Sequence, residues 1–194
     1  NKTDYKLVIN LVLVVESILL SIKFVDDKNI DMIHQKIEDA LNKQIGAEAA
    51  SSQYYLAMAS WAETQGYEGV ANFFYDHSDE ERQHMLKLIK YVNERGGQAH
   101  IKALDEPTKN FKDLKHVFQD LHEHEVKVSQ MINELVHICL KHRDYTTHNF
   151  LQWYVAEQIE EEALARTILD KLALIGNDKG GPVSYTHLRA HETV

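Results

Sequence analysis

Four long stretches of the chain carry apolar residues three and four positions apart, and each has an ionisable or amide residue near its middle. This spacing predicts four amphipathic helices that pack lengthwise. In the second stretch Phe74, Glu81 and Leu88 share one helix face. We call such a line of mostly apolar residues, which faces the interior of the bundle, a seam. Glu81, the polar residue of this seam, therefore points into the bundle. The sequence therefore predicts a polar site within an apolar core. The predicted helices cover about 37–61, 69–95, 111–142 and 145–175.

Composition narrows the classes of function. The 194 residues contain 21 Lys and Arg against 30 Asp and Glu, a net charge of −9, which disfavours nucleic-acid binding and favours cations. Two prolines and eight glycines are too few for a turn-rich β-fold. A single cysteine, Cys139, excludes a disulfide framework and a cysteine-rich metal site. We expect a cytoplasmic, helical protein with neither a nucleic-acid nor a membrane partner.

The two ends of the sequence differ from its middle. Residues 7–25 are mostly apolar but are interrupted by Glu16 and Lys23, so a membrane span is disfavoured. We interpret 1–31 as a non-native or hydrophobic extension; a membrane anchor or signal and a soluble helix are the alternatives. Residues 183–193, VSYTHLRAHET, resemble the translation of a sequencing adapter. We interpret 177–194 as a truncated end with an adapter-like tail, which leaves 32–176 as the domain.

The link between the second and third predicted helices is long. It covers 96–110 and contains Pro107. A helix of about 27 residues is roughly 40 Å long, and 15 extended residues reach roughly 50 Å. The link can therefore run the whole length of the bundle. The predicted fold is all-α, a four-helix bundle with one long crossover between the second and third helices.

The two predicted hairpins repeat one pattern of polar residues. A Glu is followed 33 positions later by Glu or Gln, and three positions after that by His or Glu. The spacing of three puts both later side chains on one helix face. The members are Glu48, Glu81 and His84 in the first hairpin, and Glu125, Gln158 and Glu161 in the second.

Buried carboxylates need partners, because a low-dielectric core strongly penalises isolated charges. Two divalent cations would neutralise the four glutamates of the repeat. A site rich in oxygen with one imidazole, from His84, suits iron or manganese better than structural zinc. The repeat therefore predicts a two-metal carboxylate site.

Residues 32–176 resemble the bacterial non-haem ferritins. The most specific segments are DEERQH at 79–84, HEHE at 122–125 and FLQWYVAEQIEEE at 150–162. The resemblance implies iron storage, with iron(II) oxidised by dioxygen or hydrogen peroxide and stored as mineral inside a homo-oligomeric shell of 24 subunits. Bacterioferritins have a haem-binding methionine where this chain has Arg82, so we expect no haem.

The resemblance also implies individual roles for the site residues. Glu48 and His84 hold the first iron, and Glu81 bridges both irons of a ferroxidase centre. Glu125 and Glu161 hold the second iron, with Gln158 beside it. The remaining implied positions are a third iron site of Glu80, Glu157 and Glu160, and a tyrosine near the centre, Tyr55. His77, one turn from the site, we interpret as a packing or supporting residue.

One departure from the family leaves alternatives open. Ferritin subunits continue into a short fifth helix at the fourfold axis of the shell, and we expect that helix to be missing after Ile175. Its absence would affect closure of the shell. The alternatives are a truncated iron-binding helical bundle without a storage shell, and another di-iron or di-manganese oxidase or peroxidase.

Overall fold

The computed structural model of the protein describes residues 33–175 and the single position 16. The interpretations of 1–31 and 177–194, including the missing fifth helix, therefore lie outside the described residues. Over 33–175 the chain forms helices without strands, as predicted. None of the described helices combines the length and the apolarity needed to cross a bilayer. The elements are α1 (Gln35–Thr64), α2 (Glu68–Glu94), α3 (Leu114–Lys141) and α4 (Tyr145–Ile175).

Local signals define the helix ends. The Asp113 carboxylate accepts a hydrogen bond from the backbone N–H of His116 at 2.9 Å. This N-cap begins α3 at Leu114, so the predicted start at 111 was wrong by three residues. Beyond α1 and α2, Gly66 and Gly96 adopt φ of 78° and 73°, a left-handed conformation that glycine adopts without steric cost.

The segment 95–113 runs from one end of the bundle to the other. Near its start, the Asn42 side chain donates to the Gln98 carbonyl at 3.0 Å and accepts from the His100 N–H at 2.6 Å. Near its end, Phe111 packs edge-on against Trp61 with ring centroids 5.7 Å apart. Because Asn42 lies in the first half of α1 and Trp61 in its last turn, the predicted long crossover is confirmed.

Two apolar clusters fill the core, one towards each end of the bundle. The first contains Ile37, Leu41, Leu88, Ile132 and Leu151, and the second contains Tyr55, Met58, Phe74, Phe118 and Ile168. Most of the buried polar side chains, among them Glu48, Glu81, Glu125 and Gln158, occupy the level between the clusters, whereas Asn42 and Thr147 lie nearer the end where the crossover begins.

The helix interfaces differ in width. Between α1 and α2, Ser52 and Ser78 donate reciprocally to each other's carbonyls at 2.8 Å, so small side chains let the two backbones approach closely. Between α2 and α4, Tyr91 stacks on Phe150 at 3.7 Å, and Tyr154 reaches across to the His84 carbonyl. Over the described residues, no Cα of α2 comes within 8 Å of one in α4. The α2/α4 interface is therefore wide enough for large side chains.

Candidate metal centre

Five predicted site residues lie buried at the middle level, and together they come from all four helices. Their exposed fractions are between 1% and 8%, which is unusual for ionisable groups unless they are paired or bind metal. α1 supplies Glu48, α2 supplies Glu81 and His84, α3 supplies Glu125, and α4 supplies Gln158. Each of them is a polar residue of its seam, about halfway along the helix. Because the seams face the interior, the five side chains meet at the middle of the bundle.

The first half of the repeat forms a compact group. One ligand atom from each of Glu48, Glu81 and His84 lies within 4.8 Å of the others. Glu81 and His84 are separated by one turn, with Oε2 and Nδ1 3.6 Å apart. Gln44, one turn before Glu48, donates to Glu48 Oε1 at 2.9 Å and orients that carboxylate. Two carboxylates and one imidazole are thus preassembled as donors for a cation.

The second half of the repeat is arranged differently. Gln158 Nε2 donates to Glu125 Oε2 at 3.1 Å and to the Glu125 backbone carbonyl at 3.2 Å. Glu161, one turn further along α4, lies with its Oε2 3.9 Å from His77 Nε2. Among residues 33–175, Glu125 is not a member of any close group of three potential ligands. The structure thus pairs Glu125 with Gln158 and places Glu161 towards α2.

Burial without a cation changes the protonation of these carboxyls. Burial is the largest cause in each case, and neighbouring carboxylates add to it. The pKa of Glu81 and that of Glu125 rise to about 7, and that of Glu161 rises to about 9. The pKa of Glu48 is raised well above its usual value by burial and then by the charge of Glu81. A bound cation would offset both causes, and its binding would displace the protons that these carboxyls hold.

Two of these carboxylates also have unpaired oxygens. Glu81 Oε2 and Glu125 Oε1 are buried and have no hydrogen-bond partner among the described residues. Buried polar atoms are normally paired, because an unsatisfied one costs about 1–3 kcal/mol. Oxygen donors with free lone pairs, beside one imidazole, are the ligand set that iron and manganese accept.

The predicted third site is only partly assembled. Glu80 and Glu157 each place a carboxylate oxygen within 4.8 Å of the other and of His84. Glu160 is exposed and joins no close ligand group within 33–175. A different group contains His77, Glu80 and Glu161. His77, interpreted from the sequence as a packing or supporting residue, is a member of this group, and its sequence signal was His-x-x-Glu-Glu-x-x-His at 77–84.

Tyr55 lies beside the centre in the second apolar cluster. Its side chain is fully buried, and its hydroxyl has no hydrogen-bond partner in the described part of the chain. The rings of Phe74, His77 and His124 surround it, with centroids 5.9–6.3 Å away. His124 in turn has its pKa lowered to about 4 by burial, and its Nε2 lies 2.7 Å from the Ser51 hydroxyl.

Supporting residues were harder to find from the sequence. Gln44, Ser129 and Tyr154 were not predicted, although each lies one turn from a site residue or on its seam. Tyr154 donates to the His84 carbonyl at 2.8 Å and ties α4 to α2 at the level of the centre. For Gln44 and Ser129 the sequence signal was a polar residue one turn from a site glutamate, four positions before Glu48 and four positions after Glu125. For Tyr154 it was a position on the α4 seam, four residues before Gln158.

A four-helix bundle with carboxylates and an imidazole buried at mid-depth defines a carboxylate metal protein of the bundle type. Comparison with known proteins specifies the family. A ferritin-like domain matches residues 38–175. The chain belongs to the ferritin family and, within it, to the bacterial non-haem ferritins. Iron storage is the general function that this membership supports.

The relatives are similar over most of their length. A probable bacterial non-haem ferritin-like protein of Haemophilus influenzae is 45% identical over 150 residues, covering 77% of this chain and 91% of the relative. A bacterial non-haem ferritin of Campylobacter jejuni is 43% identical over 150 residues, covering 77% and 90%. The open pore ferritin of Archaeoglobus fulgidus superposes with a TM-score of 0.75 at 44% identity, covering 76% of this chain and 91% of that one.

Proposed function

We propose that the protein oxidises iron(II) to iron(III) at a paired-iron ferroxidase centre and stores the product as mineral inside an oligomeric shell. The observation that carries this proposal is the compact buried group of Glu48, Glu81 and His84, at a level shared with Glu125 and Gln158. Iron is the substrate and the cargo of this centre.

The donor set supports a division of roles. Glu48 and His84 would hold the first iron, because they flank Glu81 within one close group. Glu81 has a buried unpaired oxygen and would bridge both irons. A bridging carboxylate holds two metals close enough to act on one oxidant, which is the template role of a two-metal site.

Glu125 and Glu161 would hold the second iron, with Gln158 beside it. Glu125 also has a buried oxygen without a partner in the described part of the chain. The amide of Gln158 adds no negative charge, so this half of the centre holds iron(III) less tightly than a further carboxylate would. That is suited to a centre that passes its product on. Glu80, Glu157 and Glu160 are proposed as a third iron site.

The electron balance allows either oxidant. Each iron(II) loses one electron, so a pair reduces dioxygen to hydrogen peroxide or hydrogen peroxide to water, with two protons taken up in either case. Full reduction of dioxygen to water takes four electrons and four protons: the iron pair would supply two electrons, an iron(II) in the third site one, and the buried Tyr55, which is proposed in that role, the fourth.

The storage step requires assembly. The archaeal structural neighbour is described as an open pore ferritin. We infer that this chain assembles as a homo-oligomer, and the family resemblance gives 24 subunits as the expected number. We further infer a cytoplasmic location, where iron(II) is available.

The test is aerobic addition of iron(II) to the purified full chain, with oxidation followed by absorbance and molecular mass followed by light scattering. Rapid oxidation by a very large assembly supports the whole proposal. Oxidation by a small species refutes storage in a shell and retains the ferroxidase. Absence of oxidation refutes both.

Variants connect the activity to the residues. Glu48→Gln keeps the shape of the side chain but removes its charge and is expected to lower the oxidation rate by at least tenfold. Glu134→Gln, an exposed carboxylate on α3, is the matched control and should oxidise iron(II) like the wild type. Equal rates in both variants would contradict the assignment.

A further inference from the structure

A row of hydrogen bonds crosses the α3/α4 hairpin and leads from the surface to the paired centre. Glu125 and Ser129 lie one turn apart on α3, and Gln158, Glu162 and Arg166 follow one another at intervals of one turn on α4. Residues four apart share one helix face. Glu125 and Gln158 belong to the proposed ferroxidase centre, whereas Ser129 and Glu162 would hold no iron in it.

The direction of these hydrogen bonds is set at the Glu162 end. The Ser129 hydroxyl donates to Glu162 Oε1 at 2.6 Å, and Arg166 donates to the other oxygen of the same carboxylate at 3.1 Å. A carboxylate only accepts hydrogen bonds, and a hydroxyl has a single proton to give. The proton of Ser129 is therefore used at Glu162, so the Ser129 oxygen can only accept a hydrogen bond from Gln158.

Gln158 accordingly turns its NH₂ group, and not its carbonyl oxygen, towards α3. Its Nε2 lies 3.1 Å from Glu125 Oε2, 3.2 Å from the Glu125 backbone carbonyl and 3.4 Å from Ser129 Oγ. Among the described residues, all hydrogen bonds of this side chain are donated by Nε2, so Oε1 keeps its lone pairs free. A reversed amide would instead place Oε1 against these acceptor oxygens.

The same orientation prepares Glu125 for a cation. The Gln158 amide occupies Glu125 Oε2, while Glu125 Oε1 is buried and has no hydrogen-bond partner within 33–175. A cation bound to Glu125 would compete with the amide for the carboxylate. Ser129 is not a ligand in this centre, so its hydroxyl can hold the amide while the Glu125 side chain moves to the cation.

We propose that Ser129 and Glu162 are positioning residues for Gln158. They hold the amide with its NH₂ group on α3 and its carbonyl oxygen free, so that Gln158 offers a neutral oxygen ligand to the second cation of the paired centre. Amide carbonyl oxygens are ligands of hard divalent cations. The identity of this cation as iron(II) rests on the proposed ferroxidase function, whereas the orientation of the amide rests on the hydrogen bonds.

The test is anaerobic titration of the purified full chain with cobalt(II), which binds without being oxidised under these conditions. Visible absorption gives the affinities, and anomalous diffraction from cobalt-soaked crystals assigns them to positions. Wild type should bind cobalt in both halves of the paired centre. Ser129→Ala should weaken the ion at Glu125 by roughly tenfold or more, the usual effect of losing a residue that orients a ligand. The ion at Glu48, Glu81 and His84 should be unchanged, which also reports that the variant is folded.

Further variants test the direction of the hydrogen bonds. Ser129→Thr keeps the hydroxyl and should bind cobalt like the wild type. Glu162→Gln keeps the shape of the side chain but can donate to Ser129, which frees the Ser129 proton and lets the Gln158 amide reverse, so it should weaken the ion at Glu125. Ser60→Ala, at an exposed serine on α1, and Glu134→Gln are the matched controls and should bind as the wild type does.

A double-mutant cycle separates positioning from a general effect on the fold. If Ser129 acts through Gln158, then Ser129→Ala should cause no further loss in a Gln158→Ala background, because no amide is left to orient. An equal loss in both backgrounds overturns the inference, as does a wild type that binds no cobalt at Glu125.

Oxidation of iron(II) by the same proteins distinguishes this inference from the proposed function. Cobalt binding at Glu125 that is insensitive to Ser129→Ala and Glu162→Gln overturns the positioning role, and rapid oxidation by the wild type then leaves the ferroxidase standing. Cobalt binding that depends on Ser129, in a wild type that does not oxidise iron(II), overturns the ferroxidase and retains the positioning role.

Discussion

Loading the paired centre with a divalent cation should release protons, and the number can be worked out from the structure. Without a cation at pH 7, Glu81 and Glu125 are each about half protonated and Glu161 is almost fully protonated, from pKa values of about 7, 7 and 9. Metal ligation requires the ionised form. Binding at pH 7 should therefore release about two protons from these three groups, and Glu48, whose pKa is also raised, adds to that number.

The dependence on pH follows from the same values. At pH 8.5 Glu81 and Glu125 are already ionised before the cation arrives, and Glu161 still holds most of its proton. The release should fall by about one proton per chain between pH 7 and pH 8.5. A centre made of carboxylates with ordinary pKa values would release almost none at either pH.

The assay is isothermal titration calorimetry with zinc(II) in buffers of different ionisation enthalpy. The slope of the observed enthalpy against the buffer ionisation enthalpy gives the number of protons released. Glu125→Gln should lower the slope by about half a proton at pH 7, whereas Glu134→Gln, which changes an exposed carboxylate, should leave it unchanged. A slope below one proton at pH 7, or one that does not fall as the pH rises, would refute the reasoning about burial.

The metal-free protein should lose stability as the pH rises from 4.5 towards 9. The buried carboxyls have raised pKa values in the folded protein and ionise at their usual, lower pKa once the chain unfolds, so a higher pH favours unfolding. Glu81, with a folded pKa of about 7, alone contributes about 3 kcal/mol of this loss by pH 7. Urea unfolding at pH 5 and 7.5 measures it, and a flat profile would contradict it. Gln158→Glu should slow iron turnover over repeated additions of iron(II), since another carboxylate beside Glu125 retains iron(III); an unchanged rate would count against this role. Asn42→Ala should destabilise the fold by about 1–3 kcal/mol, because both of its hydrogen bonds hold the crossover. Thermal unfolding measures the Asn42 effect, and an unchanged Tm would show that the crossover is held elsewhere.

The seams were predictable because the periodic spacing of apolar residues determines which face of a helix is buried. Phe74, Glu81 and Leu88 were predicted to share a buried face, and all three are at most 4% exposed. The crossover was predictable from its length alone. The start of α3 was not, because the apolar pattern reaches back to Phe111 while the Asp113 cap decides where the helix begins.

The site was less predictable than the fold, since side-chain direction depends on neighbours from other helices. His77 lies on the predicted seam, but only the structure shows Phe73 orienting its ring and Glu161 facing its nitrogen. Glu160 matches a family position by sequence, yet in the structure it is exposed and apart from the close groups of 33–175. The position of a residue on a seam predicts whether it is buried. It does not predict its rotamer or its partner on the facing helix.

The unequal helix interfaces suggest why the two halves of the repeat differ. α1 and α2 approach closely through Ser52 and Ser78, so Glu48, Glu81 and His84 converge into one compact group. The α2/α4 interface is held open by aromatic side chains, so Glu161 turns across it towards His77. The second half lies on α3 and α4, and its Glu161 leaves that hairpin to face α2, whereas all three members of the first half stay within the α1/α2 hairpin.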